Sequence, residues 1–206
     1  AIKKSFGTRP DGSWSVLSVA ANIDLHPAIV RINRMLRDPN LVLSETSGRY
    51  QPDQKFDPDK MRLLDGLVRK FRDAGTEVVL MLLPIAPPIV QKMTESGRYE
   101  FIAALRSQLA EFGARSRVEF YDFYDPAVVN GTICEFQDPH HGGNALYARM
   151  LALVLRSNPQ SVLREFVDRD SVERIGERYS GRVVAPLRSE APAFQEVDFL
   201  GMGCRK

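Results

Sequence analysis

The sequence is short of apolar runs, of charge of one sign and of cysteine, and each shortage excludes a class of protein. Across 206 residues the longest unbroken apolar stretches, Val78–Leu83 and Met150–Leu155, are six residues each, far below the roughly 20 a membrane-spanning helix needs. No Lys/Arg start followed by an apolar stretch and a small-residue cleavage site is present, so no signal peptide is read. Twenty-eight Lys+Arg stand against 26 Asp+Glu. The signs are interspersed, and segment 157–206 alone holds eight of each. A nucleic-acid binder concentrates its cations on one face or arm, so that class is set aside. Neither a Gly-x-Gly-x-x-Gly nor a Gly-x-x-x-x-Gly-Lys-Ser/Thr motif occurs, which argues against a flavodoxin-like nucleotide or phosphate binder.

The only cysteines, Cys134 and Cys204, fit no zinc spacing. They either pair in an oxidising compartment or stay as two buried thiols in a reducing one. The chain begins at Ala1 rather than Met, which suggests a processed or excised segment. Composition otherwise is that of a globular domain, 44% hydrophobic and 26% charged, long enough to bury a core without staples.

The clearest elements lie in the middle. Asp57-Pro58 opens a helix, with Asp57 as cap, Pro58 at the first position and Phe56 and Met61 placed as a staple. Met61, Leu64, Val68 and Phe71 make its apolar face, and Gly75 is placed to end it in a left-handed conformation. Thr76–Leu83 reads as a strand covered on both faces, stopped by the prolines of 84–88. A helix over Tyr99–Phe112 closed by Gly113, then a strand over Arg117–Phe123, complete an α-β-α-β order with a parallel sheet. A loop, Tyr124–Gly143, leads into a helix over Asn144–Arg156 that is apolar almost all round. A helix over His26–Arg37, a long loop over 38–57, an undecided strand or helical turn at Ser15–Ala21, and a polar helical stretch after Pro159 are also expected. Arg174, Arg178 and Arg182 of that stretch alternate with Glu173 and Glu177, which reads as a solvated mixed-charge helix. Residues 1–156 would form the α/β domain and 157–206 a helical and irregular extension.

One constellation carries chemistry: Asp138-Pro139-His140-His141-Gly142-Gly143-Asn144, between the second strand and the buried helix. Catalytic groups of parallel α/β sheets collect in such loops, beyond the carboxyl ends of strands. Asp138 and His141 are three apart, so one tight turn brings the carboxylate onto the imidazole Nδ1–H. That fixes the tautomer and leaves Nε2 to accept a proton. Gly142 and Gly143 permit the sharp turn into the helix. As metal ligands, Asp138, His140 and His141 lack a further His or carboxylate to complete a shell, so no metal or cofactor is expected. His26, before Pro27, reads as a helix-start residue.

Asp-x-x-His followed by Gly and an apolar helix resembles the last conserved block of SGNH (GDSL-type) hydrolases. The stretch Leu63–Pro88, LLDGLVRKFRDAGTEVVLMLLPIAPP, is similar to the helix, strand and Pro-containing loop that precede it there. The likeness spans about residues 55–156 and is nearest in flavour to the cell-envelope acyltransferase and esterase branch. It implies an α/β three-layer parallel-sheet domain, flavodoxin-like or SGNH-like. It also implies an ester hydrolase or O-acyltransferase acting on a small-molecule or carbohydrate ester outside the cytoplasm, without cofactor. His141 would be the base, Asp138 its orienting partner, His140 the base if the register shifts by one, and 84–88 a cleft wall. The family's Gly-Asp-Ser block does not occur. Asp11-Gly12-Ser13 has the letters in another order, Ser44 and Ser47 have no arguable partner, and no Gly-x-Ser-x-Gly elbow exists. The expectation is a domain incomplete at its N-terminus, with the serine outside this chain or unrecognised within it. The rival expectation is a non-catalytic carbohydrate-binding or assembly module of the same fold.

Overall fold

The computed structural model describes residues 7–8, 14–15, 27–44, 50–183, 198 and 201–204. Ser13, His26, Ser47 and most of the Ser15–Ala21 segment lie outside them. Two-residue strands β1 (Gly7–Thr8) and β2 (Trp14–Ser15) pair antiparallel. Helices α1 (Pro27–Arg37) and α2 (Pro39–Leu43) follow, then α3 (Pro58–Asp73), β3 (Val79–Leu82), α4 (Pro87–Ser96) and α5 (Glu100–Ser116). The chain closes with β4 (Glu119–Asp122), α6 (Asn144–Ser157) and α7 (Arg169–Arg178). The protein is therefore mixed α/β, mostly helical, with β3 and β4 parallel in register Val79↔Glu119 to Leu82↔Asp122. No helix among the described residues is long and apolar enough to cross a membrane.

Alternation along the two strands splits the core. Val78, Leu80 and Val118 pack with Val68 of α3 and Phe112 of α5. Met81, Tyr121 and Phe123 turn the other way, onto a larger cluster holding Leu146, Met150 and Val154 of α6 and Ile89 and Met93 of α4. Seven residues of α6 are buried, as its all-round apolar pattern requires.

Local chemistry explains the boundaries and four departures from the sequence reading. Asp57 caps α3 by accepting from the Asp59 N–H at 2.9 Å, and Gly75 takes φ 77° after it. Phe71, though, is 47% exposed while Val68 is 3%, because the buried stripe of α3 is narrower than its apolar one. Helix α5 runs past Gly113 to Ser116, and Arg117 supplies the left-handed end at φ 52°. Gly113 instead lets strand and helix close up, since a Cβ there would lie 2.9 Å from Phe120 Cβ. The prolines after β3 do not stay in a loop, because Pro87 and Pro88 open α4, where a missing N–H costs nothing. Within the long loop Asp38 and Pro39 start the short helix α2 by the same device. After Pro159 a 3₁₀ turn, Val162–Glu165, precedes α7, whose Arg169 and Glu173 pair at 3.0 Å.

The cysteines are paired. Cys134 and Cys204 form a disulfide across 70 residues of chain, and no free cysteine remains. The Asp198 carboxylate folds the end of that span by accepting from the backbone N–H of Met202 and Gly203, both at 2.7 Å, and of Cys204 at 3.0 Å. Closing a loop this long constrains the unfolded chain strongly. The double variant Cys134→Ser/Cys204→Ser is expected to lose about 2–4 kcal/mol in urea unfolding; a midpoint equal to the parent's would contradict this.

Glu119 joins β4 to the segment after α6. Its carboxylate accepts from Tyr121 Oη at 2.5 Å, Ser161 Oγ at 2.6 Å, the Val162 N–H at 2.9 Å and Asn158 Nδ2 at 3.4 Å. Burial works to raise its pKa, but the four donors outweigh burial and hold it below the usual carboxylate value. A depressed carboxylate stabilises the fold above its unfolded pKa of about 4.3, and that contribution is lost as pH falls through the lower folded value. Glu119→Gln is therefore expected to flatten the fall of the melting temperature between about pH 5 and 3. An unchanged slope would show that other carboxylates carry the acid sensitivity.

Candidate functional site

Two 3₁₀ turns, Pro126–Val129 and Ile133–Glu135, carry the chain from β4 toward α6. A narrow hairpin follows. Phe136 and Gly142 form an antiparallel bridge, and the Gln137 N–H donates to the His141 carbonyl at 2.8 Å. Asp138, Pro139, His140 and His141 are the tip of this hairpin.

The Asp138 carboxylate organises the tip. Oδ1 accepts from the backbone N–H of His140 at 2.7 Å and of His141 at 3.0 Å. Oδ2 lies 2.7 Å from His141 Nδ1. With both oxygens committed, the carboxylate sets the turn and the imidazole together, and makes Nδ1 the protonated nitrogen. The His141 side chain is 61% exposed and that of Asp138 27%, so the ring stands out from a fixed base, and among the described residues Nε2 has no hydrogen-bond partner.

His140 is held differently. Its ring stacks on Tyr50 with centroids 4.9 Å apart and planes 14° apart, and the Tyr50 hydroxyl bonds its Nδ1. Tyr50 is held in turn by the Tyr99 hydroxyl, which donates to its carbonyl at 2.9 Å. The two imidazoles meet edge to face at 6.1 Å. Asp138 therefore bonds the ring of His141 and the backbone of His140. Sequence reasoning missed Tyr50, since a lone tyrosine 90 residues upstream carries no periodic signal.

Three further contacts fix the hairpin. The Ala86 N–H, beyond β3, donates to the Pro139 carbonyl at 3.0 Å, so one residue of the 84–88 segment braces the tip. The Gly142 N–H donates to Tyr147 Oη at 3.2 Å. Burial, opposed by the Gly142 bond and reinforced by the Asp138 charge, raises the Tyr147 phenol above its ordinary value and keeps it neutral. Gly143 is packed against the chain, because a Cβ there would sit 1.9 Å from the Val183 carbonyl oxygen. Neither Gly142 nor Gly143 has positive φ, so close approach rather than backbone freedom excludes larger residues.

No family model, curated protein or solved structure matches this chain. The chemistry of the site rests on its own geometry. Among the described residues no hydroxyl is bonded to His141, and Ser44 donates to the Leu41 carbonyl at 3.3 Å, within its own helix end. No group of three or more His, Cys, Asp or Glu that could hold a metal occurs among the described residues.

Beneath the hairpin sits the one wholly buried charged side chain among the described residues. Glu135 is wholly buried and meets Arg149 of α6 through both oxygens, each at 2.6 Å. The same oxygens accept from the Thr132 N–H at 2.9 Å and the Gly181 N–H at 3.0 Å. Arg149 also donates to the Val129 carbonyl at 2.9 Å and the Gly176 carbonyl at 3.2 Å. The Glu135 carbonyl accepts from the Gly143 N–H at 2.6 Å, so this ion pair sits directly under the neck of the hairpin.

Proposed function

We propose that this chain belongs to an ester hydrolase or O-acyltransferase of the SGNH-like type, built on a parallel-sheet α/β domain and acting on acyl esters of an envelope carbohydrate. His141 is the general base and Asp138 its orienting partner. The observation that carries the reading is the 2.7 Å contact between Asp138 Oδ2 and His141 Nδ1, on a ring that is 61% exposed. In acyl transfer, His141 Nε2 takes the proton of a nucleophilic serine hydroxyl as its oxygen attacks the ester carbonyl. Nε2 then returns that proton to the departing alkoxide, leaving an acyl-serine. Water or an acceptor hydroxyl reverses the sequence. Asp138 holds the ring by Nδ1 and stabilises the imidazolium. The paired cysteines favour an oxidising, extracytoplasmic setting.

One observation favours the second reading, a non-catalytic carbohydrate-binding or assembly module: no hydroxyl is bonded to His141 among the described residues. A serine-directed fluorophosphonate separates the two. The full-length protein is expected to be labelled, and His141→Ala to lose the label while remaining folded. A folded protein that takes no label, or labelling unchanged in His141→Ala, would overturn the assignment of His141 as base.

A further inference from the structure

A second site lies where α4 ends and α5 begins. There a pocket of about 220 Å³ opens beside Tyr124, two residues beyond the carboxyl end of β4. Ligands of parallel sheets gather at that end. The volume is about seven times the roughly 30 Å³ share of one liquid water. It falls below the ~300 Å³ at which drug-sized ligand sites begin, which favours a small ligand.

The lining divides by chemistry. Met93, Ile102 and Tyr124 give an apolar floor. The Tyr124 hydroxyl is spent on Met93 Sδ at 3.2 Å, and burial pushes its pKa up to about 12, so it stays neutral. Arg106 is fixed on two sides: Nε donates to Asp122 Oδ2 at 2.6 Å, and Cζ sits 5.5 Å over the Tyr124 ring. Arg106 lines the pocket, and among the described residues its two terminal amino groups make no hydrogen bond, so the guanidinium keeps donors to offer. Glu100, six residues earlier on the same helix, also lines the pocket and has no partner among the described residues. Thr94 spends its proton on the Val90 carbonyl at 2.9 Å, leaving only lone pairs to offer. The wall thus presents one preorganised donor fork and, apart from it, two acceptors. Glu100 and Arg106 stand six residues apart on α5, a backbone rise of about 9 Å along the axis, and both line the same pocket.

We propose that this pocket binds a small zwitterion of the α-amino acid class, its carboxylate on Arg106, its ammonium on Glu100 and Thr94, and its side chain on the Met93–Ile102–Tyr124 floor. A simple anion would meet Glu100, whereas a zwitterion gives that carboxylate an ammonium and gives the Arg106 guanidinium a second carboxylate beside Asp122. The site does not depend on the His141 chemistry.

Calorimetric titration of the full-length protein tests this with L-leucine, 4-methylpentanoate and 3-methylbutylamine, which share a side chain and differ in charge. L-Leucine is expected to bind saturably in the millimolar range and at least about tenfold more tightly than either analogue. Glu100→Gln, an exposed change that cannot unfold the protein, is expected to weaken leucine about tenfold and leave 4-methylpentanoate no weaker. Arg106→Lys keeps the charge but loses the fork and weakens leucine similarly. Absence of leucine binding, equal affinity for leucine and an analogue, or unchanged binding in Glu100→Gln would overturn the proposal.

Discussion

His141→Gln is expected to lower ester turnover by the full-length protein about 10²–10⁴-fold while leaving KM within a few-fold, the loss that follows removal of a positioned general base. The separation of kcat from KM follows from the proposed role, in which Asp138 holds the ring through Nδ1 and Nε2 carries the proton rather than binding the substrate. Glutamine keeps a side chain of similar length at a 61% exposed position, so folding is unaffected. Asp138→Asn gives the companion result. Its amide oxygen still accepts the two backbone N–H bonds at the tip, at 2.7 and 3.0 Å, so the turn survives. The atom facing Nδ1, however, becomes a donor, which favours the tautomer with its proton on Nε2, the one that cannot accept. Asp138→Asn should therefore lose turnover with an unchanged circular dichroism spectrum. His141→Gln retaining turnover within about threefold of the parent would remove the imidazole from the mechanism.

Glu135→Ala is expected to destabilise the protein by about 3–5 kcal/mol, the cost of leaving one partner of a buried ion pair uncompensated. Three losses fall together. The Arg149 guanidinium keeps its charge at a side chain only 17% exposed, and the Thr132 and Gly181 N–H groups lose their acceptor. A cavity then opens below the hairpin. Removing both charges is milder than removing one, so Glu135→Leu/Arg149→Met should recover part of the loss. Urea unfolding with the disulfide intact measures all three proteins. A double variant as unstable as Glu135→Ala would mean that the hydrogen-bond network, not the ion pair, carries the energy.

Local signals in the sequence located what local forces build. Asp57-Pro58 and Gly75 bound α3, the apolar run of α6 buries, and the three-residue spacing of Asp138 and His141 gives one carboxylate on one ring. The sequence reading fell short where tertiary packing sets the outcome. Gly113 looks like a helix end but serves close approach to Phe120. Prolines 84–88 look like a stop, yet two of them start α4. Glu135 looks like an ordinary loop carboxylate, because nothing local ties it to Arg149, 14 residues on, or to Gly181, 46 residues on. Tyr50 beside His140 belongs to the same class of long-range partner. The open choice at the cysteines, paired or free, likewise turned on the distance between Cα atoms, which is 5.7 Å.

The Glu135 network also governs how the molecule opens. A single carboxylate and its guanidinium gather main-chain groups of Thr132, Val129, Gly176 and Gly181, with the Gly143 amide on the adjoining carbonyl. None of these groups can be released to solvent without disturbing the rest, so the loop, α6 and the end of α7 form one cooperative foldon rather than a set of fraying pieces. In native-state hydrogen exchange the amides of Thr132, Gly143 and Gly181 should share one opening free energy, although they lie in three separate stretches of chain outside the helices.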